Sequence, residues 1–246
     1  MKATAIEFRL RMWIMVAIIV LGFWAPWIEG LGIGERMSTL AWLPMELSRL
    51  GVASFATASA MVIVLGALVA GVGMIFRVWG SAYLGYTTVH HAEMQAGGMM
   101  ADGPYRYVRN PLYLGGWFMM AAMALLMPPT GALFSITLLT VFLLRLILGE
   151  EAFLSGQLGE PYREYLRTTP RLIPRLRGAL PAAGDKPRWL TAVLGELNPI
   201  GVFITLAVLS WSYDHMLMMK GILISFGVSL VVRAMMKRGQ VDSSLA

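Results

Sequence analysis

The sequence predicts an all-α fold, a polytopic integral membrane bundle of about six transmembrane helices, and three observations predict it. Hydrophobic residues make up 57% of the 246 and charged residues only 14%, against roughly 45 to 50% and 25% in an average soluble domain. Six windows approach the roughly 20 apolar residues that a helix needs to cross a bilayer core of about 30 Å. Positive charges fall on alternate connections, which is how orientation is encoded in membrane chains. Cysteine is absent, so disulfide frameworks and thiolate-bound metal centres are excluded, and no polar low-complexity run points to disorder.

The first span covers residues 12–28. Lys2, Arg9 and Arg11 precede it as they would a signal peptide, but Pro26, Trp27 and Glu29 follow where a small-residue cleavage site would stand, so the segment is read as retained. The second span covers residues 52–79, the third 112–127 and the fourth 131–149. Pro128 and Pro129 lie between the last two, stopping one helix and starting an antiparallel neighbour, so a helical hairpin is expected. The fifth and sixth, 199–213 and 216–236, are joined at Tyr213, Asp214 and His215. Small residues four apart, Gly66 with Ala70, Ala67 with Gly71, and Gly221 with Ser225 and Ser229, mark close helix packing. On this alternation seventeen of the 20 Lys and Arg residues share one side, and only Arg36, Arg49 and Lys220 lie on the other. Both termini are therefore expected in the cytoplasm, at a bacterial inner membrane. The net charge of +6 then reports topology, and no nucleic acid partner is expected.

Two segments on the basic side, residues 90–113 and 145–174, are too polar to be mere connectors. In the first, Asn110 followed by Pro111 is a helix-start signal, with Asn as cap and proline in the first turn. Free amide groups at such a terminus, beside Arg106 and Arg109, suit an anion; an interfacial belt of Tyr and Arg is the competing reading. The second segment opens with Arg145, Glu150 and Glu151. Carboxylates at the margin of an apolar helix call for a cationic partner, and two that lie about 100° apart on a helix cannot serve one ligand identically. Residues 157–167 then read as an amphipathic helix on the inner leaflet, ended at Pro170. His90 and His91 are adjacent, with His215 on the opposite side, so no metal site is expected. Gly30, Gly32 and Gly34 follow no strand, so a Rossmann pocket is not supported.

The run Gly103-Pro104-Tyr105-Arg106-Tyr107-Val108-Arg109-Asn110-Pro111-Leu112-Tyr113-Leu114-Gly115, then Glu150-Glu151, then Leu158-Gly159-Glu160-Pro161-Tyr162-Arg163-Glu164-Tyr165 and Pro170-Arg171-Leu172-Ile173-Pro174, resembles the isoprenylcysteine carboxyl methyltransferase family. Related phospholipid methyltransferases share the pattern. The resemblance implies a membrane methyltransferase core over residues 52–177, between an amino-terminal transmembrane helix with its outer loop (1–51) and a carboxy-terminal transmembrane pair (178–246). It implies an S-adenosyl-L-methionine pocket facing the cytoplasm and a lipid-like substrate, of isoprenoid, prenylcysteine or phospholipid type, entering from the bilayer. Carried over by position, cofactor contacts fall on His90, Gly97, Gly98, Met99, Met100, Tyr105, Asn110, Pro111, Leu112, Tyr113 and Glu150. Arg109 and Arg145 become the candidates for anchoring substrate. Three departures stand out. Asn110 occupies a position where many relatives have His and cannot titrate; Arg145 lies five residues before Glu150, where prenylcysteine enzymes tend to place their arginine four before; and the last two spans lie beyond the resemblance.

Methyl transfer is an in-line displacement, so holding nucleophile and methyl about 3 to 3.5 Å apart with water excluded supplies much of the catalysis. A carboxylate acceptor needs no base, and Arg109 or Arg145 would grip it. An amine or phenol would have to lose a proton, for which Glu151 is the candidate. Two other readings stay open: a membrane lipid or steroid reductase using NADPH, and a catalytically silent membrane scaffold, for which Asn110 gives a motive.

Overall fold

Thr4 and Glu7 cap one another, the Thr4 hydroxyl accepting from the Glu7 amide and the Glu7 carboxylate from the Thr4 amide, and this capping box starts the short helix α1 (Ala5–Arg9). A computed structural model describes residues 2–24, 37–84, 102–178 and 184–244 of the chain. The apolar stretches that follow α1 become α2 (Arg11–Phe23), α3 (Thr39–Arg49), α4 (Phe55–Leu84), α5 (Pro111–Met123), α6 (Pro129–Leu158), α7 (Glu160–Thr168), α8 (Trp189–Gly195), α9 (Leu197–Val208) and α10 (His215–Ser244). Among the described residues there are no strands.

Among the described residues, length and hydropathy support three of the six expected spans, or four. Three helices, α4, α6 and residues His215–Met236 of α10, are each long and apolar enough to cross a bilayer. A fourth span arises only if α8 and the segment Leu197–Ser212 are taken together across a bend of 68°, while Arg11–Phe23 and Pro111–Leu126 are shorter apolar helices. The bend has a local cause. Pro199 has no amide hydrogen to give the Gly195 carbonyl one turn back, and Arg233 of α10 fills that oxygen instead, through Nε at 3.1 Å and Nη2 at 2.8 Å. Helix α3, inside the expected outer loop, was not predicted. At 11 residues with Pro44 in its middle it is too short for a span, and it is held by the Thr39 amide and hydroxyl on the Met127 carbonyl.

The expected hairpin forms: α5 and α6 meet across Met127 and Pro128, and Trp117 Nε1 donates to Thr140 Oγ1 at 2.8 Å between them. α5 lies between two apolar clusters. Met119 and Ala122 join α3, α4, α9 and α10 through Val62, Leu206 and Met218; Met120 and Ala124 join α1, α2 and α6 through Phe8, Ile18 and Leu146. The small-residue stripes are contacts, as expected. Gly66 faces Leu125, Gly71 faces Phe203, and Gly221 faces Thr205 and Leu209. Outward faces of α4 and α10 expose Leu65, Leu68, Leu223 and Ile224, as a surface bathed in hydrocarbon should.

Candidate functional site

Residues 102–110, which lead into α5, are held from three sides. Gly103 has φ +57°, and a Cβ there would collide with the Tyr83 ring, so glycine is required by both space and conformation. Trp79 and Tyr107 pack with ring centroids 5.8 Å apart. The strap after α7 then lies against this segment: the Arg109 amide donates to the Pro170 carbonyl at 2.9 Å and the Arg175 amide to the Tyr107 carbonyl at 3.0 Å. Helix α7 adds the Tyr165 hydroxyl, which donates to the Tyr105 carbonyl at 2.8 Å. Tyr162 and Tyr165 of this amphipathic helix are buried against protein.

These contacts bring the two polar segments together. Tyr113 donates its hydroxyl to Glu150 Oε2 at 2.7 Å. Asn110 Nδ2 donates to Glu151 Oε1 and to the Arg171 carbonyl, each at 3.2 Å. Arg171 Nη2 reaches Glu151 Oε2 at 2.8 Å, and Arg109 Nη1 lies 3.5 Å from Glu151 Oε1. The neighbouring carboxylates thus face different partners, as their helical offset requires, and Glu151 finds the cationic partners that its burial demands. Arg171 belongs to this cluster but was not singled out from the sequence; a basic residue closing the strap beyond a buried carboxylate was the available signal. Asn110 stands at the N-cap position of α5 yet makes no side-chain cap bond, while its Nδ2 is turned to Glu151 and the strap. The first amides of α5 are left without that cap.

Among the described residues, two side-chain atoms are buried without a partner: Arg109 Nε and Thr169 Oγ1. They flank the Arg109–Pro170 backbone bond, and a buried donor or hydroxyl left unpaired is costly. Burial, the largest influence, pushes the Tyr105 phenol well above its ordinary value, so it stays neutral.

Against this polar cluster lies an apolar cavity of about 430 Å³ between α4, α5 and α6, with Leu172, Ile173 and Pro174 of the strap at its edge. Tyr113 belongs to both: its ring lines the cavity and its hydroxyl meets Glu150. Leu112 packs towards Gly80 of α4, and Pro111 is buried at the start of α5. His90, Gly97, Gly98, Met99 and Met100 lie outside the described residues.

Arg145 is not brought to this cluster. Its Nη2 grips both carboxylate oxygens of Glu7, at 2.8 and 2.9 Å, and its carbonyl accepts from the Ala3 amide, so it docks α1 onto α6. Glu151, the expected proton acceptor, has its lone pairs committed to Arg171, Asn110 and Arg109. The Thr4 amide and the Arg145 guanidinium hold the Glu7 carboxyl down at about 2. A depressed carboxyl contributes its docking above the ordinary value near 4.5 and loses it as pH falls from there towards 2. A nitroxide on Ile6→Cys, in a chain otherwise free of cysteine, should therefore gain mobility across that interval. With Glu7→Gln the label should be mobile at every pH, and a mobility unchanged by acid would refute the docking role.

A family model described as phospholipid methyltransferase matches residues 61–160, a range that starts in α4, includes Asn110, Tyr113, Glu150 and Glu151, and ends at the start of α7, short of Arg171. No curated protein and no solved structure gives a match.

Proposed function

We propose, from the match of residues 61–160 to the phospholipid methyltransferase family model together with the site geometry, that the chain is a membrane methyltransferase that uses S-adenosyl-L-methionine to methylate a lipid-like acceptor. The observation that carries the reading is Tyr113, one side chain shared by a polar cluster and an apolar cavity. A tail held among Val72, Phe76, Trp117 and Leu143 would bring its head to that tyrosine and Glu150, and the cavity's exposed edge at Leu144 and Ile173 suits entry from the bilayer.

The residues present fit the cofactor's charges. Its carboxylate matches the uncapped start of α5, residues Asn110 to Tyr113, and the unpartnered Arg109 Nε. Its ammonium matches Glu150, and Tyr105 offers a neutral aromatic wall. His90 and Gly97 to Met100 complete the proposed set. When bound, the cofactor supplies an electrophilic methyl group; the chain's residues supply position, dryness and charge. In this arrangement Glu151 orients Arg109 and Arg171, Arg109 carries the anchoring role, and Arg145 serves α1. The termini and the cluster are proposed to face the cytoplasm, as the basic residues on those connections support.

Calorimetric titration of the detergent-purified chain tests this. S-adenosylmethionine or its demethylated product should bind in the micromolar range, and Glu150→Ala should abolish the heat. A folded wild-type protein giving no heat, or binding NADPH instead, or a Glu150→Ala variant that binds unchanged, would overturn the assignment.

A further inference from the structure

Glu196 is fully buried, and it sits at the 68° break between α8 and α9, beyond the stretch that matches the family. Its carboxylate accepts three hydrogen bonds, all from α4. Arg77 of α4 donates Nε to Oε2 at 2.8 Å and Nη2 to Oε1 at 2.7 Å, and Ser81 Oγ donates to Oε1 at 2.6 Å. With Arg233 on the Gly195 carbonyl, guanidiniums from α4 and α10 converge on two consecutive residues.

Stability alone does not account for such a pair, since desolvating two charges offsets most of their attraction and well-packed apolar residues often serve as well. An ionisable group inside a membrane bundle calls for a functional explanation, with its partner named. What Arg77 touches supplies one. Its backbone nitrogen and Cγ pack against Gly115 of α5, and the residues before it on α4, Val72 and Phe76, line the cavity. A planar fork bonded at two points resists rotation in a way a single contact does not, and each residue step on a helix is about 100°. Turning α4 slightly at Arg77 would swing Phe76 out of the cavity or into it.

We propose that the Arg77–Glu196 pair is a positioning clamp, by which the broken carboxy-terminal helix holds α4 in the rotation that presents Val72 and Phe76 to the cavity and so sets which apolar tails it accepts. The clamp rests on the reading of that cavity as the acceptor site, and the experiment separates the two. A homologous series of brominated fatty alcohols is titrated against the detergent-purified, cofactor-free chain, with quenching of Trp117 as signal and Trp117→Phe as the control for it. Wild-type protein should quench with a preferred chain length; no quenching by any member overturns the cavity reading and the clamp with it. The double variant Arg77→Met with Glu196→Leu, which removes both charges together, should unfold at a similar temperature yet bind the preferred alcohol about tenfold more weakly and lose the length preference. Should that variant fail to fold, Arg77→Lys keeps the charge without the fork and should likewise weaken binding of the preferred alcohol and flatten the length preference. Affinity and length profile unchanged within about twofold, in whichever of the two variants folds, would leave the cavity reading standing and sink the clamp.

Discussion

Replacing Glu151 by Gln is expected to be the most damaging single polar substitution in the cluster. Its carboxylate is only 7% exposed and shared by two arginines that differ in their means of escape. Arg171 is 41% exposed and can turn towards water, whereas Arg109 is 10% exposed and cannot. The substitution therefore strands one buried guanidinium, and breaking a buried pair from one side costs about 3 to 5 kcal/mol, with the lower end expected because Arg171 relaxes. A clear fall in the unfolding midpoint of the detergent-purified protein would register this. Adding Arg109→Met to Glu151→Gln should recover much of the loss, because no unpaired charge then remains. If Glu151→Gln melts with the wild type, water already reaches the pair and Arg109 is not stranded by the loss of the carboxylate.

The second large effect is steric. A Cβ at Gly115 would lie 2.8 Å from the Gly73 carbonyl oxygen, 2.9 Å from Arg77 Cγ and 3.0 Å from Arg77 N. Two of those atoms are main chain and cannot step aside, so Gly115→Val must push α4 and α5 apart. Overpacking of this kind costs about 1 to 3 kcal/mol. Because both helices line the cavity, tail binding should weaken along with the melting temperature. Gly116 is the internal control: nothing lies within 4 Å of a Cβ there, and Gly116→Val should change stability by no more than about 0.5 kcal/mol. Equal effects at the two positions would show that helix propensity, not close approach, is being measured.

The contrast between Gly115 and Gly116 also shows where the sequence stops being legible. Both are glycines in one apolar run, and no local pattern says which faces α4. Similarly, Glu150 and Glu151 could be read as diverging by one helical step, and a cationic partner for a buried carboxylate could be demanded. That the partners are Arg109 and Arg171 depended on the strap after α7 folding back over the segment before α5. Arg145 carried the right charge at nearly the right place, but Glu7, 138 residues away, claims it.

What the sequence determined by itself was the helical class, the apolar stretches, the proline-bounded hairpin and the location of the polar chemistry in two segments, because hydropathy, proline and charge act over a few residues at a time. Only the tertiary structure decided how many helices are long enough to span alone, that α8 and α9 bend at Gly195 and Glu196, which carboxylate meets Tyr113 and which is clasped by arginines, and that Glu196 closes on Arg77. Each of those outcomes depends on groups far apart in the chain competing for the same buried partner, and the outcome of that competition is set by packing and desolvation.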